Sequence, residues 1–141
     1  MILINTPSLA LQKTQNTILK SDPIITQFVS QRVYDDIPRG TPFPYIQIGD
    51  NQDVDNSNTC DDTPTEVFSR IHVWVRGAQR GIIADQISHR IRTILGKDTL
   101  SLDDYKITVA NFVNTDSVVT ENELEIQNIV TLRYLIQKKI I

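Results

Sequence analysis

The chain has 141 residues, a formal net charge of −3 and a hydrophobic fraction of 40%. These values predict one soluble globular domain over residues 1–141, without an overall attraction to nucleic-acid backbones. Because Cys60 is the only cysteine, no intrachain disulfide can form. No stretch has the pattern of a signal peptide or the length of an apolar membrane span. A cytosolic-type protein is therefore expected.

Two helices are predicted at the N-terminal end, each preceded by a capping residue and a proline. Thr6 and Pro7 start a helix that runs to about residue 20. Asp22 and Pro23 start a second, shorter helix. The apolar residues expected to be buried are Leu11, Ile18 and Leu19 in the first helix, and Ile24, Ile25, Phe28 and Val29 in the second. Val33 and Tyr34 form at most a fragment of a strand.

Next come a loop, a strand and a second loop. Three prolines and a glycine between residues 37 and 44 forbid regular structure. Residues 45–49 alternate, with Ile46 and Ile48 on one side, and are predicted to form the first long strand. Residues 50–64 contain five aspartates and three asparagines, which predicts an exposed, mobile hairpin loop.

The strand and helix over residues 65–95 are the centre of the predicted fold. One side of the strand is apolar (Val67, Ile71, Val73, Val75), and the other carries Phe68, Arg70, His72, Trp74 and Arg76. After Gly77 the period changes to that of a helix over residues 78–95, whose apolar stripe is Ile83, Ala84, Ile87, Ile91 and Ile94. Gly96 is expected to end this helix with a positive φ.

Two further strands complete the chain. Residues 105–113 and 125–137 are predicted to be strands, with a polar turn region at residues 116–121 between them. The fold class is therefore α+β: an antiparallel four-stranded main sheet packed against an amphipathic helix, with one or two N-terminal helices. The helices lie on one sheet face and leave the face with Trp74 for another contact.

Metal sites are not supported by the spacing of the candidate ligands. A calcium loop that begins at Asp53 would place Asn58 at the glycine position and Pro64 at the position of the bidentate glutamate. Cys60, His72 and His89 are not paired at a zinc-finger spacing. No metal or other cofactor is expected.

Catalytic and nucleic-acid-binding sites are likewise not supported by the sequence. Ser88 and His89 are adjacent on a helix, so their side chains diverge and do not form a nucleophile–base pair. A glycine-rich phosphate loop is absent from the sequence. Trp74 with Arg70 and Arg76 could stack bases, but tryptophan and arginine are also concentrated in protein interfaces. We therefore expect a surface that binds protein, and no enzyme.

The chain resembles the tail-completion family of long-tailed bacteriophages. The resemblance lies in residues 19–23, 32–38 and 42–49, the last two containing Arg-Val-Tyr-Asp and Pro-Tyr-Ile, and extends to Val-Trp-Val at residues 73–75 and Leu-Arg-Tyr at residues 132–134. It implies a subunit similar to the lambda-type tail terminators, which form a hexameric ring on the end of the tail tube. Partners implied by the resemblance are other copies of the chain, the tail-tube protein and a head-completion or connector protein, at the head–tail junction of the virion after assembly in the host cytoplasm. DNA would pass through the bore without specific binding.

A ring needs two different, complementary patches on each subunit. The outward side of the central strand (Phe68, Arg70, Trp74, Arg76) is one candidate, and the proline-rich loop with Arg39 and Phe43 is the other. Alternatively, Phe68 and Trp74 pack under the N-terminal helices within one subunit. Two other functions stay open: a head–tail connector subunit, and a small enzyme or ligand-binding domain of unknown substrate.

Overall fold

The computed structural model describes residues 4–54, 64–120 and 124–139. Within these ranges it shows an α+β fold of three helices and five strands, which confirms the predicted class. No helix there is long and apolar enough to cross a membrane. In chain order the elements are α1 (Pro7–Ser21), α2 (Pro23–Val29), β1 (Val33–Tyr34), β2 (Tyr45–Val54), β3 (Thr65–Arg76), α3 (Arg80–Leu95), β4 (Tyr105–Val119) and β5 (Glu125–Lys138).

The strands form one mixed sheet in the order β1-β2-β3-β5-β4. Its four long strands are antiparallel, as predicted. The short β1 is a fifth strand, parallel to β2, with Val33 opposite Ile46. The prediction of four strands was therefore incomplete. The two residues of β1 are too few to show a hydrophobic pattern, and their pairing with β2 depends on where α2 ends. The Ile46 N–H fixes that pairing by donating to the Arg32 carbonyl at 3.0 Å.

Two strands are longer than their hydrophobic patterns indicated. β2 continues past a register shift between Gln47 and Asp50 to Val54, and β4 continues to Val119. Residues 50–54 were expected in the acidic loop, and residues 116–119 in a polar turn. Both expectations were wrong because polar side chains leave the backbone free to pair with a neighbouring strand. The rest of the acidic loop, residues 55–63 with Cys60, lies outside the described residues.

Both predicted N-terminal caps are confirmed. The Thr6 hydroxyl accepts a hydrogen bond from the Leu9 N–H at 3.1 Å, and the Asp22 carboxylate accepts one from the Ile25 N–H at 3.0 Å. Ile24 was predicted to be buried, but 43% of its surface is exposed. In a seven-residue helix only one side faces the core, and that side contains Ile25 and Val29, which are four residues apart.

The core lies between the helices and one face of the sheet. Val67, Ile71, Val73 and Val75 are buried there, as predicted, against Ile87, Ile91 and Leu95 of α3. A buried polar contact joins α1 to the same face, where the Gln15 amide donates to the Ser69 hydroxyl at 3.0 Å. Both α1 and α3 therefore pack on the inward side of β3.

The two ends of α3 differ from the prediction in detail. The helix begins at Arg80 rather than residue 78, because Gln79 has a left-handed conformation (φ 61°). Gly96 was expected to have a positive φ, but its φ is −83°. Glycine is needed there for space: a Cβ on Gly96 would stand 2.7 Å from the carbonyl oxygen of Arg92.

Candidate protein-binding surface

One face of the sheet, here called the outer face, has no described helix packed on it. Successive side chains of a strand point to opposite faces. Ser69 contacts Gln15 of α1, so Phe68 and Trp74 point away from the helices. The alternative in which these two residues pack under the N-terminal helices is therefore wrong. Both are half-buried by their neighbours on the outer face.

Aromatic rings form a continuous row at one end of the outer face. Tyr45 of β2 lies opposite Trp74 of β3, and their ring centroids are 6.2 Å apart with 26° between the planes. Phe43 follows, 5.0 Å from Tyr45. Phe43, Tyr45 and Trp74 are called the aromatic row below. The structure thus joins two patches that the sequence analysis treated as separate, because Phe43 of the proline-rich loop is contiguous with Trp74.

A hydrogen bond from Arg32 holds the loop that carries Phe43. The Arg32 guanidinium Nε donates to the Pro44 carbonyl at 2.9 Å, which holds the loop against the start of β1. Arg39, in contrast, is exposed in the same loop and is not brought to the aromatic row by any contact in the described part of the chain. Of the two loop candidates, only Phe43 therefore belongs to the outer face.

Two groups in the aromatic row are shielded from water, Tyr45 in part and the Trp74 indole nitrogen fully. Burial raises the pKa of the Tyr45 hydroxyl, and the nearby Glu125 carboxylate acts in the same direction. The indole Nε1 of Trp74 is buried and has no hydrogen-bond partner among the described residues. An unpaired buried N–H costs free energy.

The arginines that β3 and β5 place on the outer face are each near a carboxylate. The pairs are Arg70–Asp50 at 3.6 Å, Arg133–Glu66 at 2.6 Å and Arg76–Glu125 at 3.9 Å. Each pair joins two neighbouring strands. Each guanidinium group therefore has a counter-charge nearby.

His72 occupies the middle of the outer face. Its Nε2 is 2.8 Å from Asp50 Oδ2, and its Nδ1 is 2.6 Å from the Gln127 amide nitrogen. His89 is exposed on α3, on the other side of the sheet, while the neighbouring Ser88 is buried and accepts a hydrogen bond from Asn128 at 3.1 Å. Among the residues that the structure describes, no three histidine, cysteine or acidic side chains are grouped as a metal would require.

The sequence analysis missed several residues of this surface, among them Tyr45, Asp50 and Arg133. Alternation along the strands gives a signal for two of them, since Tyr45 precedes buried Ile46 and Arg133 lies between buried Leu132 and Tyr134. Asp50 follows a shift in register and had no such signal. Which residues pair across strands could not be read from the chain.

Comparisons with known proteins found a matching family model and solved structures with a similar fold. The family model for the tail completion protein gp17 matches residues 17–137. A search of curated proteins found no match. A chain from the virion of a native gene transfer agent particle is 21% identical, with a TM-score of 0.79, over 90% of this chain and 94% of that one. The gp17 protein of bacteriophage SPP1 is 21% identical, with a TM-score of 0.60, over 91% and 89%. At these identities the two structures establish a similar fold.

Proposed function

We propose, since the chain belongs to the family of the tail completion protein gp17, that six copies form a ring that caps the end of a phage tail tube. A structural role in completing a phage tail follows from the family itself. The ring, its six-fold order and its position at the head–tail junction are the further content of this proposal. The partners are other copies of the chain, the tail-tube protein and a head-completion protein.

The observation that carries this proposal is the uncovered outer face. It combines an aromatic row with arginines and polar side chains, the composition that protein interfaces favour. Trp74 is half-buried, so a protein partner would cover the part of its ring that is still exposed. Binding, without making or breaking bonds, is the mechanism that this surface supports.

A passage for DNA also fits the charges. Proteins that hold DNA offer lysines and arginines to its phosphates. Here Arg70, Arg76 and Arg133 are paired with carboxylates, and the whole chain has a net charge of −3. A ring of such subunits would let DNA move through its bore without retaining it.

The experiment is to delete the gene from a phage or prophage that encodes it and to measure tails by electron microscopy. A terminator that caps the tube predicts tails of irregular length that do not join heads, and restoration by the wild-type chain. Tails of normal length that fail to join heads would instead indicate a connector subunit. Uniform tails that join heads without the protein would rule out both roles.

Residue-specific complementation sharpens this test. Trp74→Ala, which removes one end of the aromatic row, should fail to restore tail length. His89→Ala, which changes an exposed side chain on the opposite layer, is the matched control and should restore it. Equal restoration by the two variants would show that the outer face has no part in assembly.

A further inference from the structure

The strand β4 forms an edge of the sheet that has few of the usual protections. Its only strand neighbour in the described chain is β5. Its last seven residues are exposed on both faces, including Val113, Val118 and Val119, which are 45%, 48% and 55% exposed. Edge strands are normally guarded by lysine, proline or a short length. Between residues 107 and 119 there is no lysine, arginine or proline.

The backbone of this edge is ordered for pairing. β4 has two register shifts, but from Asn114 to Val119 its register with β5 is regular. Beyond that stretch the Thr120 N–H donates to the Glu125 carbonyl at 3.1 Å. Because antiparallel pairs alternate between bonded and non-bonded, Thr115, Ser117 and Val119 direct their N–H and C=O groups to the open side. The stretch 114–119 therefore presents a regular row of donors and acceptors at every second residue.

The opposite edge of the sheet is open over residues 50–54 of β2, and this stretch is preceded by Gly49, which lies within the register shift and has a φ of 93°. β1 covers β2 only at Ile46 and Gln47. In the described part of the chain, no backbone hydrogen bond reaches the outer side of residues 49–54. β2 and β4 run in opposite directions, because each successive pair from β2 through β3 and β5 to β4 is antiparallel. A β4 strand placed beside β2 of another copy in a continuing sheet would thus be antiparallel to it.

The two stretches also agree in side-chain direction when residues 114–119 are aligned end to end with residues 49–54. Thr115 then lies opposite Asp53, and both belong to the helix side of their strands, since their neighbours Val130 and Val67 are buried. The helix layers of the two copies therefore stay on the same side of the joined sheet. Had the parity differed, the layers would have been reversed.

The same alignment places no two charged side chains directly opposite each other. Asp116, the one charged residue of the β4 stretch, lies opposite Gln52, and Asp50 lies opposite Val118. No two carboxylates face each other directly, which would be destabilising. The β1 strand of the receiving copy sets the limit of the overlap, since it fills the place beside Ile46 and Gln47.

We infer that the open edge of β4, residues 114–119, binds the open edge of β2, residues 50–54, of a second copy of this chain as an added antiparallel strand. The contact joins two different edges, so it is head-to-tail and each copy can receive one neighbour and offer itself to another. The inference rests on the proposed ring, for which it names the two patches. It leaves the outer face, with its aromatic row, free for the tail or head protein.

Disulfide cross-linking tests the contact in the assembled state. The variant Thr115→Cys with Asp53→Cys, in a chain with Cys60→Ser, places two cysteines where opposite side chains would be about 4.5–5.5 Å apart. Mild oxidation of the purified oligomer, or of tails that contain the protein when it purifies as a monomer, should give covalent dimers, trimers and higher multimers. Each single-cysteine variant should give none of these.

Other results would overturn the inference. Dimers from Thr115→Cys alone would show that β4 pairs with β4. A ring visible by electron microscopy in which the double-cysteine variant stays uncross-linked would overturn the strand contact and leave the ring intact. Normal tails made without the protein would instead reject the ring itself, and the inference with it.

A proline variant gives an independent readout. Thr115→Pro removes one outward N–H while sparing the bonds to β5, and proline is tolerated at that kind of edge position. Thr115→Val, which keeps the N–H, is the matched control. Thr115→Pro should raise the concentration needed for half-assembly about tenfold, as expected for a lost hydrogen bond and a disturbed strand, with a melting temperature close to that of Thr115→Val. Equal assembly of the two variants at equal melting temperature would contradict the inference.

Discussion

The carboxylate of Asp22 accepts two hydrogen bonds from the guanidinium of Arg90, at 2.7 Å to Oδ1 and 3.1 Å to Oδ2. The same carboxylate caps α2 through the Ile25 N–H. One buried side chain thus starts a helix and joins it to α3, which lies 68 residues away in sequence. The Arg90 hydrogen bond lowers the pKa of Asp22, against the opposing effect of burial, and the backbone N–H groups of α2 add to the lowering.

This contact predicts a loss of stability in acid. A carboxyl group whose pKa is lower in the folded state stabilises the fold at pH values above its unfolded pKa, about 3.9, and that contribution is lost as the pH falls through the folded value. Asp22→Asn keeps a capping oxygen but removes the charge, so below about pH 5 its free energy of unfolding should depend less on pH than that of the wild type. Urea denaturation at several pH values measures this. Identical pH profiles for the two proteins would contradict it.

Removing the cap as well should cost more. Asp22→Ala loses both the Arg90 contact and the hydrogen bond to Ile25. We expect it to be less stable than Asp22→Asn at pH 7 by about 1 kcal/mol, the usual contribution of an N-cap side chain. Equal midpoints in urea would show that the cap contributes nothing here.

A charge in the core should prevent folding. Ile87 is fully buried between α3 and the sheet, so Ile87→Asp would bury an unpaired carboxylate. Ile82, on the same helix, is 64% exposed, and Ile82→Asp is the matched control. Circular dichroism and yield of soluble protein should show loss of the fold for Ile87→Asp only. Soluble, native-like Ile87→Asp protein would refute the placement of α3.

Two glycines of the α3 region should respond to alanine in opposite directions. At Gly96 a Cβ would stand 2.7 Å from a backbone oxygen, which cannot move aside as a flexible side chain can, so Gly96→Ala should destabilise by about 1–3 kcal/mol. At Gly81, in the first turn of α3, a Cβ meets nothing within 4 Å. Gly81→Ala should therefore stabilise by about 0.4–1 kcal/mol. Thermal melts of both variants test the sign of each change.

Loss of the outer-face anchors should weaken association more than folding. Trp74 and Arg70 lie on the outer face, half-buried, so replacing both by alanine should reduce assembly or tail completion first. Ile71→Ala changes the adjacent buried position and should lower stability by about 2–5 kcal/mol. Complementation of tail completion and thermal melts of the two variants separate the effects. A larger drop in melting temperature for the outer-face variant than for Ile71→Ala would reverse this interpretation.

Calcium should not stabilise the protein. The acidic stretch at residues 50–64 lacks the glycine and glutamate that a calcium loop needs at its sixth and twelfth positions. We therefore predict the same melting temperature with millimolar calcium and with a chelator. An increase with calcium would reveal a site, because a ligand that binds only the folded state raises its stability.

The sequence by itself determined what depends on neighbours along the chain. The period-two pattern of β3 separated the buried side, with Ile71, from the outer side, with Trp74. The helix caps at Thr6 and Asp22 are equally local, because a capping side chain bonds to a backbone N–H about three residues away. The family resemblance likewise lay in short strings of residues, and the family match confirms it.

Only the tertiary structure decided which strands pair and where they stop. β1 joins the sheet, and β2 and β4 extend through polar residues, because backbone hydrogen bonds to a neighbour need no apolar pattern. The row from Phe43 through Tyr45 to Trp74 depends on the register of β2 against β3, which no single strand encodes. The open edges of β2 and β4 have the same origin: an edge is defined by the absence of a neighbouring strand, and strand order is a property of the assembled sheet.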